Sequence, residues 1–213
     1  MKNHMMKFGM KKVLFFTIVF FMFLLIFFSF KSESESTINP VNYSAKDSVG
    51  SVKAFMMVYG VLMSPRCMNC HPSGNAPLQG DDHHIHTMNI QRGLDGHGVT
   101  SARCSNCHQA KNTAGLHMPP GNPKWGLPPA NMRMVFQGRT PRQLALQLLD
   151  PKQNNGRTKA MLIDHFAHDD LVGWAWHPGD GRTLPPMTRA ALVTQVKLWI
   201  AKGAYAPAVN AKQ

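Results

Sequence analysis

The chain has 213 residues and a formal charge of +12, with a pI near 9.9. That basicity does not mark a nucleic-acid binder. Five of the 23 basic residues lie at or before Lys31 and all 11 acidic ones after it, and the +7 that remains is not interleaved with aromatic residues as single strands require.

In chain order, residues 1–31 read as a signal peptide or N-terminal membrane anchor. Lys2, Lys7, Lys11 and Lys12 precede an apolar run from Val13 to Phe30, so the N-terminus stays cytoplasmic and the rest is exported to the periplasm. The run is long enough to span a membrane and no small-x-small cleavage site follows it, which favours an uncleaved anchor. Residues 32–48, rich in Ser, Glu, Asn and Lys, read as a flexible tether, 49–207 as one domain and 208–213 as a tail. Within the domain, Val52, Phe55, Met56, Tyr59, Leu62 and Met63 recur at helical spacing up to Pro65. A long loop-like stretch follows from Pro72 to Met132, full of Gly, Pro, Asn and His. Thr140, Pro141 and Gln143 form a capping box that opens a helix carrying Leu144, Leu148 and Leu149, stopped at Asp150-Pro151. A third helix is expected from Thr158 towards His168, with Met161, Leu162, His165 and Phe166 on one side. A fourth runs from Thr188 to Gly203 and buries Leu192, Val196, Trp199 and Ile200. No strand alternation stands out, so the expected fold is mainly α, with long loops and no significant sheet.

The four cysteines fall in two segments, Cys67-Met68-Asn69-Cys70-His71 and Cys104-Ser105-Asn106-Cys107-His108. Each has the spacing of a c-type haem attachment site, in which two thiols add to the porphyrin vinyl groups and the adjacent imidazole takes the iron. Zinc would not call for a histidine after both pairs, a thioredoxin-like redox motif would need a βαβ setting, and structural disulfides would leave the histidines unexplained. The domain is therefore expected to hold two covalent haem c groups, on Cys67, Cys70, Cys104 and Cys107, with His71 and His108 as proximal ligands. Four propionates would lower the exported charge to about +3. Two rigid porphyrin faces would also replace the core that so irregular a middle segment cannot build from side chains, so without haem that segment is expected not to fold.

The other axial positions have many candidates: His83, His84, His86, His97, His117, Met118, His165, His168, His177 and Met187, of which His86, His117, Met118, His165 and Met187 lead. His86 lies in a polar cluster with Asp81, Asp82, His83 and His84, on a loop long enough to return over the first haem, and is the choice from sequence. His117 and Met118 occupy a rigid Gly-Leu-His-Met-Pro-Pro-Gly turn, Met187 follows a Pro-Pro pair far downstream, and His165 lies on the apolar side of its helix, where a core histidine bonded to a carbonyl is the common case.

Several stretches carry a family likeness: Ser-Pro-Arg-Cys-Met-Asn-Cys-His-Pro at 64–72, Pro-Leu-Gln-Gly-Asp-Asp-His-His at 77–84 and Arg-Cys-Ser-Asn-Cys-His-Gln at 103–109. Met-Pro-Pro-Gly-Asn-Pro-Lys-Trp-Gly-Leu-Pro-Pro at 118–129 and Leu-Val-Gly-Trp-Ala-Trp-His-Pro-Gly at 171–179 add to it. Over roughly residues 55–206 the chain resembles dihaem c-type cytochromes labelled isoquinoline 1-oxidoreductase subunit. The resemblance implies an electron acceptor for a molybdopterin dehydrogenase of the molybdenum hydroxylase type, and not an enzyme in its own right. The expectation is thus a periplasmic carrier, tethered or soluble, passing single electrons from a dehydrogenase to a respiratory acceptor. The alternative is a dihaem peroxidase, which needs one iron with an open sixth position.

Overall fold

A computed structural model describes residues 47–209, which lie within the compact unit Tyr43–Gln213. The targeting segment, most of the tether and the tail from residue 210 lie outside the described residues. Six helices carry the fold: α1 (Ser48–Leu62), α2 (Pro65–Met68), α3 (Pro141–Leu149), α4 (Lys159–His168), α5 (Asp170–Trp174) and α6 (Arg189–Ala201). Two antiparallel pairs of two residues each, β1 (Leu78–Gln79) with β2 (His84–Ile85) and β3 (Gly98–Val99) with β4 (Ala102–Arg103), are the only strands among them. The protein is mainly α.

Local chemistry starts each longer helix. The Asp47 carboxylate accepts the Gly50 amide at 2.8 Å and pairs with Lys202, so α1 begins at Ser48, the last residue of the expected tether. Thr140 and Gln143 close the expected capping box on α3, and Thr158 and Thr188 accept N3 amides on α4 and α6. Asp169 ends α4 and also caps α5 by accepting the Leu171 and Val172 amides, a helix the periodicity does not reveal.

The core lies where α1 crosses α6, with α3 and α4 against its flanks. Phe55 and Trp199, both fully buried, meet at 4.7 Å between ring centres. Ser51 Oγ donates to the Trp199 carbonyl and accepts the Tyr205 amide, each at 2.9 Å, while Trp199 Nε1 donates to the Tyr205 carbonyl at 3.0 Å. The buried polar atoms at the centre are thus paired, and the chain after α6 is tied back to α1. Leu162 and Phe166 carry the buried face of α4, whereas Met161 is 52 % exposed and does not join the expected face. Ile200 is only partly buried beside the core.

From Asn69 to Val135 the only buried apolar side chains are Pro72 and Leu78. Polar clamps hold this stretch. The guanidinium of Arg92, 1 % exposed, donates to the carbonyls of Pro128 (2.5 Å) and Gly74 (3.2 Å), and its backbone bonds Asn75 and Gly98. Gly96, at φ +86°, has no room for a Cβ against the Leu127 carbonyl, which marks where two passes of the loop touch.

Unfolding of the protein in denaturant should separate these contributions. Trp199→Ala is expected to cost about 3–5 kcal/mol and Thr140→Ala about 1 kcal/mol. Equal losses would remove the α1–α6 crossing from the centre of the core.

Candidate functional site

The first cysteine pair sits on a continuous run of tight turns. Cys67 N donates to Ser64 O (3.0 Å), Cys70 N to Cys67 O (3.3 Å) and His71 N to Met68 O (2.9 Å). This winding brings both thiols and the imidazole to one wall of a cavity of about 500 Å³, within the range of small-ligand and cofactor pockets. Leu62, Leu127, Met134, Phe136, Phe166 and Trp174 supply apolar walls, while Arg157 and Lys124 bring positive charge to the same lining. What exposure Cys67, Cys70 and His71 keep faces this space. Burial pushes the Cys67 thiol up to about 12 and the Cys70 thiol to about 11. The site disfavours a thiolate, and an uncharged thioether would remove that mismatch.

His71 is held from behind. Its Nδ1 lies 2.7 Å from the Met134 carbonyl, which can only accept, so Nδ1 carries the proton and Nε2 is left with its lone pair. The ring stacks on Phe136 at 3.9 Å between centres and 15° between planes. Burial drives its pKa down to about 4, against the weaker opposing effect of the Met134 bond. The imidazole is therefore neutral at ordinary pH, as a metal ligand must be.

The second motif repeats the arrangement with different parts. A 3₁₀ turn at Cys104–Asn106 leads to His108 N donating to Cys104 O at 2.9 Å. His108 Nδ1 donates to the Pro120 carbonyl at 2.7 Å, and the ring stacks on Trp125 at 4.7 Å and 16°. Burial lowers the His108 pKa, and His86 adds to the effect. Cys107 is exposed, so this site lies nearer solvent than the first. Gly121 is required here, because a Cβ would strike the carbonyls of Lys111 and Gln109 and so displace the Pro120 backbone beside it.

The remaining candidates separate. His86 lies beside the second motif and not over the first: its ring centre is 6.1 Å from that of His108, with 67° between planes, and its Nδ1 donates to Thr87 O at 2.8 Å. The register that pairs Leu78 with Ile85 fixes where the loop after β2 emerges, and so where His86 points. His165 lines the first cavity with Cys67, Cys70 and His71, and its Nδ1 is 3.4 Å from Asp169 Oδ2. His117 is exposed, with φ +55°, and packs on Gly181, and Met118 is 41 % exposed. Neither lines the cavity. Met187 packs on the helical core while its carbonyl accepts Trp176 Nε1 at 2.7 Å. His83 and His84 bond Asn69 and Asp82 in the polar loop.

Two kinds of functional group leave no readable signature in the sequence. The carbonyls of Met134 and Pro120 are backbone atoms, and Phe136 and Trp125 become significant only once the chain folds them onto the histidines. The two sites also adjoin. Cys104 contributes to raising the Cys70 thiol, and Trp125 meets Trp174, a wall of the first cavity, edge to face at 4.7 Å. Among the described residues no group of three or more His, Cys, Asp or Glu could hold a bare metal ion, so the two cysteine pairs do not converge into a zinc cage. The donor set fits haem: paired thiols, an anchored neutral imidazole at each motif, and an apolar cavity with cations on its lining.

No family model matches the chain, and no curated protein or solved structure matches it.

Gly121→Val should pull the Pro120 carbonyl away from His108 and release its Nδ1 proton from that bond, measured on the His108 ring nitrogens by NMR. An unchanged His108 signal would show that this carbonyl does not position the ring.

Proposed function

We propose that the protein is an exported dihaem c-type cytochrome that carries single electrons from a dehydrogenase, of the molybdenum hydroxylase class that its resemblance implies, to a respiratory acceptor. The observation that carries this reading is the duplicated anchor. Each histidine that follows a Cys-x-x-Cys pair donates Nδ1 to a backbone carbonyl at 2.7 Å and stacks on an aromatic ring, leaving Nε2 free of partners among the described residues. A proximal iron ligand needs this arrangement, which fixes ring orientation and raises ligand basicity.

Bound haem would supply the one-electron couple. The chain's own residues do the rest. Cys67, Cys70, Cys104 and Cys107 hold the group covalently, His71 and His108 fix its axial direction, and the apolar walls keep water from the first site. Arg157 and Lys124 would meet the carboxylates that haem carries. A carrier needs little change of geometry between oxidation states, and rings locked by both a hydrogen bond and a stack resist such change.

Two tests follow. Cys70→Ser and Cys107→Ser should each reduce covalent haem and expose the 72–132 segment to proteolysis; two intact haems in both variants would sink the attachment assignment. The purified protein should exchange electrons rapidly with a molybdenum dehydrogenase, at a rate that falls with added salt if its positive charge guides docking. Robust peroxidase turnover with a high-spin haem at rest would favour the enzyme reading instead.

A further inference from the structure

Resting on the dihaem reading, we propose that both irons are held by histidine on both sides, His108 with His86 and His71 with His165, so that neither Met118 nor Met187 is a ligand.

The second site gives the more direct geometry. Two iron–nitrogen bonds of about 2 Å, with about 1 Å from each nitrogen to its ring centre, put the centres of two trans imidazoles about 6 Å apart. His86 and His108 stand at 6.1 Å. The pair is edge-on, at 67° between planes, and stands at the separation that a shared iron would set. Both rings spend Nδ1 on a backbone carbonyl, Thr87 for His86 and Pro120 for His108, so both present Nε2 as the remaining lone pair. Neither Nε2 has a hydrogen-bond partner among the described residues.

At the first site the cavity selects the partner. Among the candidate residues, His165 lines the space that Cys67, Cys70 and His71 also line. Its side chain is 28 % exposed, Asp169 faces its Nδ1, and Nε2 has no partner among the described residues. His97 also lines the cavity, but it is exposed, with its ring packed on Gly126. Neither Met118 nor Met187 lines it. Met187 is held in the helical core, and Met118 lies on an exposed turn whose carbonyl receives Arg182 at 2.6 Å.

The test is electron paramagnetic resonance and optical spectroscopy of the haem-loaded full chain. His86→Ala and His165→Ala should each turn one of the two haems high-spin, and the double variant should turn both, while His97→Ala, His117→Ala, Met118→Leu and Met187→Leu leave the spectra unchanged. His86→Met and His165→Met keep a ligand in place and serve if an alanine variant fails to fold: each should raise one reduction potential and leave the other alone, since His–Met ligation lies above His–His. Low-spin spectra in either alanine variant, a double variant that keeps one low-spin haem, a methionine variant that leaves both potentials where they were, or a high-spin signal from His97→Ala would overturn the pairing. The underlying reading is tested separately by the unaltered protein. Two covalent haems there leave the cytochrome standing whichever ligands prevail, and fewer than two would remove it along with the pairing.

Discussion

Some 65 residues of this chain, from Asn69 to Val135, bury only two apolar side chains, and the rest of the structure is arranged around that deficit. A segment of this composition cannot recover the conformational entropy of folding from hydrophobic burial. What fixes it in place is a set of hydrogen bonds to backbone carbonyls, in which Arg92 and the histidines of the two motifs are the donors. The helices α1, α3, α4 and α6 form a conventional core to one side, and the carbonyl that anchors His71 comes from Met134, two residues before the core residue Phe136. Haem in the first cavity would join the two halves, with helical side chains on one wall and loop residues on the other. Stability and cofactor attachment would then be one quantity, not two.

The two sites are alike in chemistry and unlike in setting. His71 stacks on Phe136 of the core and faces a closed, mostly apolar space, whereas His108 stacks on Trp125 within the loop and lies next to the exposed Cys107. A lower local dielectric disfavours the added charge of an oxidised iron, and solvent access relieves that cost. Were haem held at both sites by the same ligand types, as we propose, this difference in burial would be what remains to separate the two potentials. The more exposed site would then suit contact with another redox protein, and the more enclosed one would be shielded.

The sequence revealed what depends on neighbours in the chain. Capping boxes, proline positions and the Cys-x-x-Cys-His pairs are all short-range, so α1, α3, α4 and α6 and the two motifs themselves were legible from spacing. Met161 was misplaced because Leu162 and Phe166, four residues apart, already fill the buried stripe of α4 and turn Met161 outwards. The five residues of α5 were missed because Asp169 serves two helices at once, an economy that leaves no separate start signal. The position of His86, beside the second motif and not the first, was not legible. Its direction depends on a two-residue strand pairing, and a pairing that short has no hydrophobic alternation to announce it.

Proximity of the sites follows from the same economy. Cys104 lies near enough to help raise the Cys70 thiol, and the stack of His108 on Trp125 continues through the edge of Trp174 to the wall of the first cavity. Trp174 is held by its Nε1 bond to Asn112 at 2.9 Å, and Asn112 also accepts the Gly121 amide beside the Pro120 carbonyl that anchors His108. One asparagine therefore positions both the partition between the sites and the backbone behind the second histidine. In a two-centre carrier this coupling matters more than the strength of either bond, because the spacing between centres is set by the least rigid element between them. Here that element is clamped on both sides by the same residue.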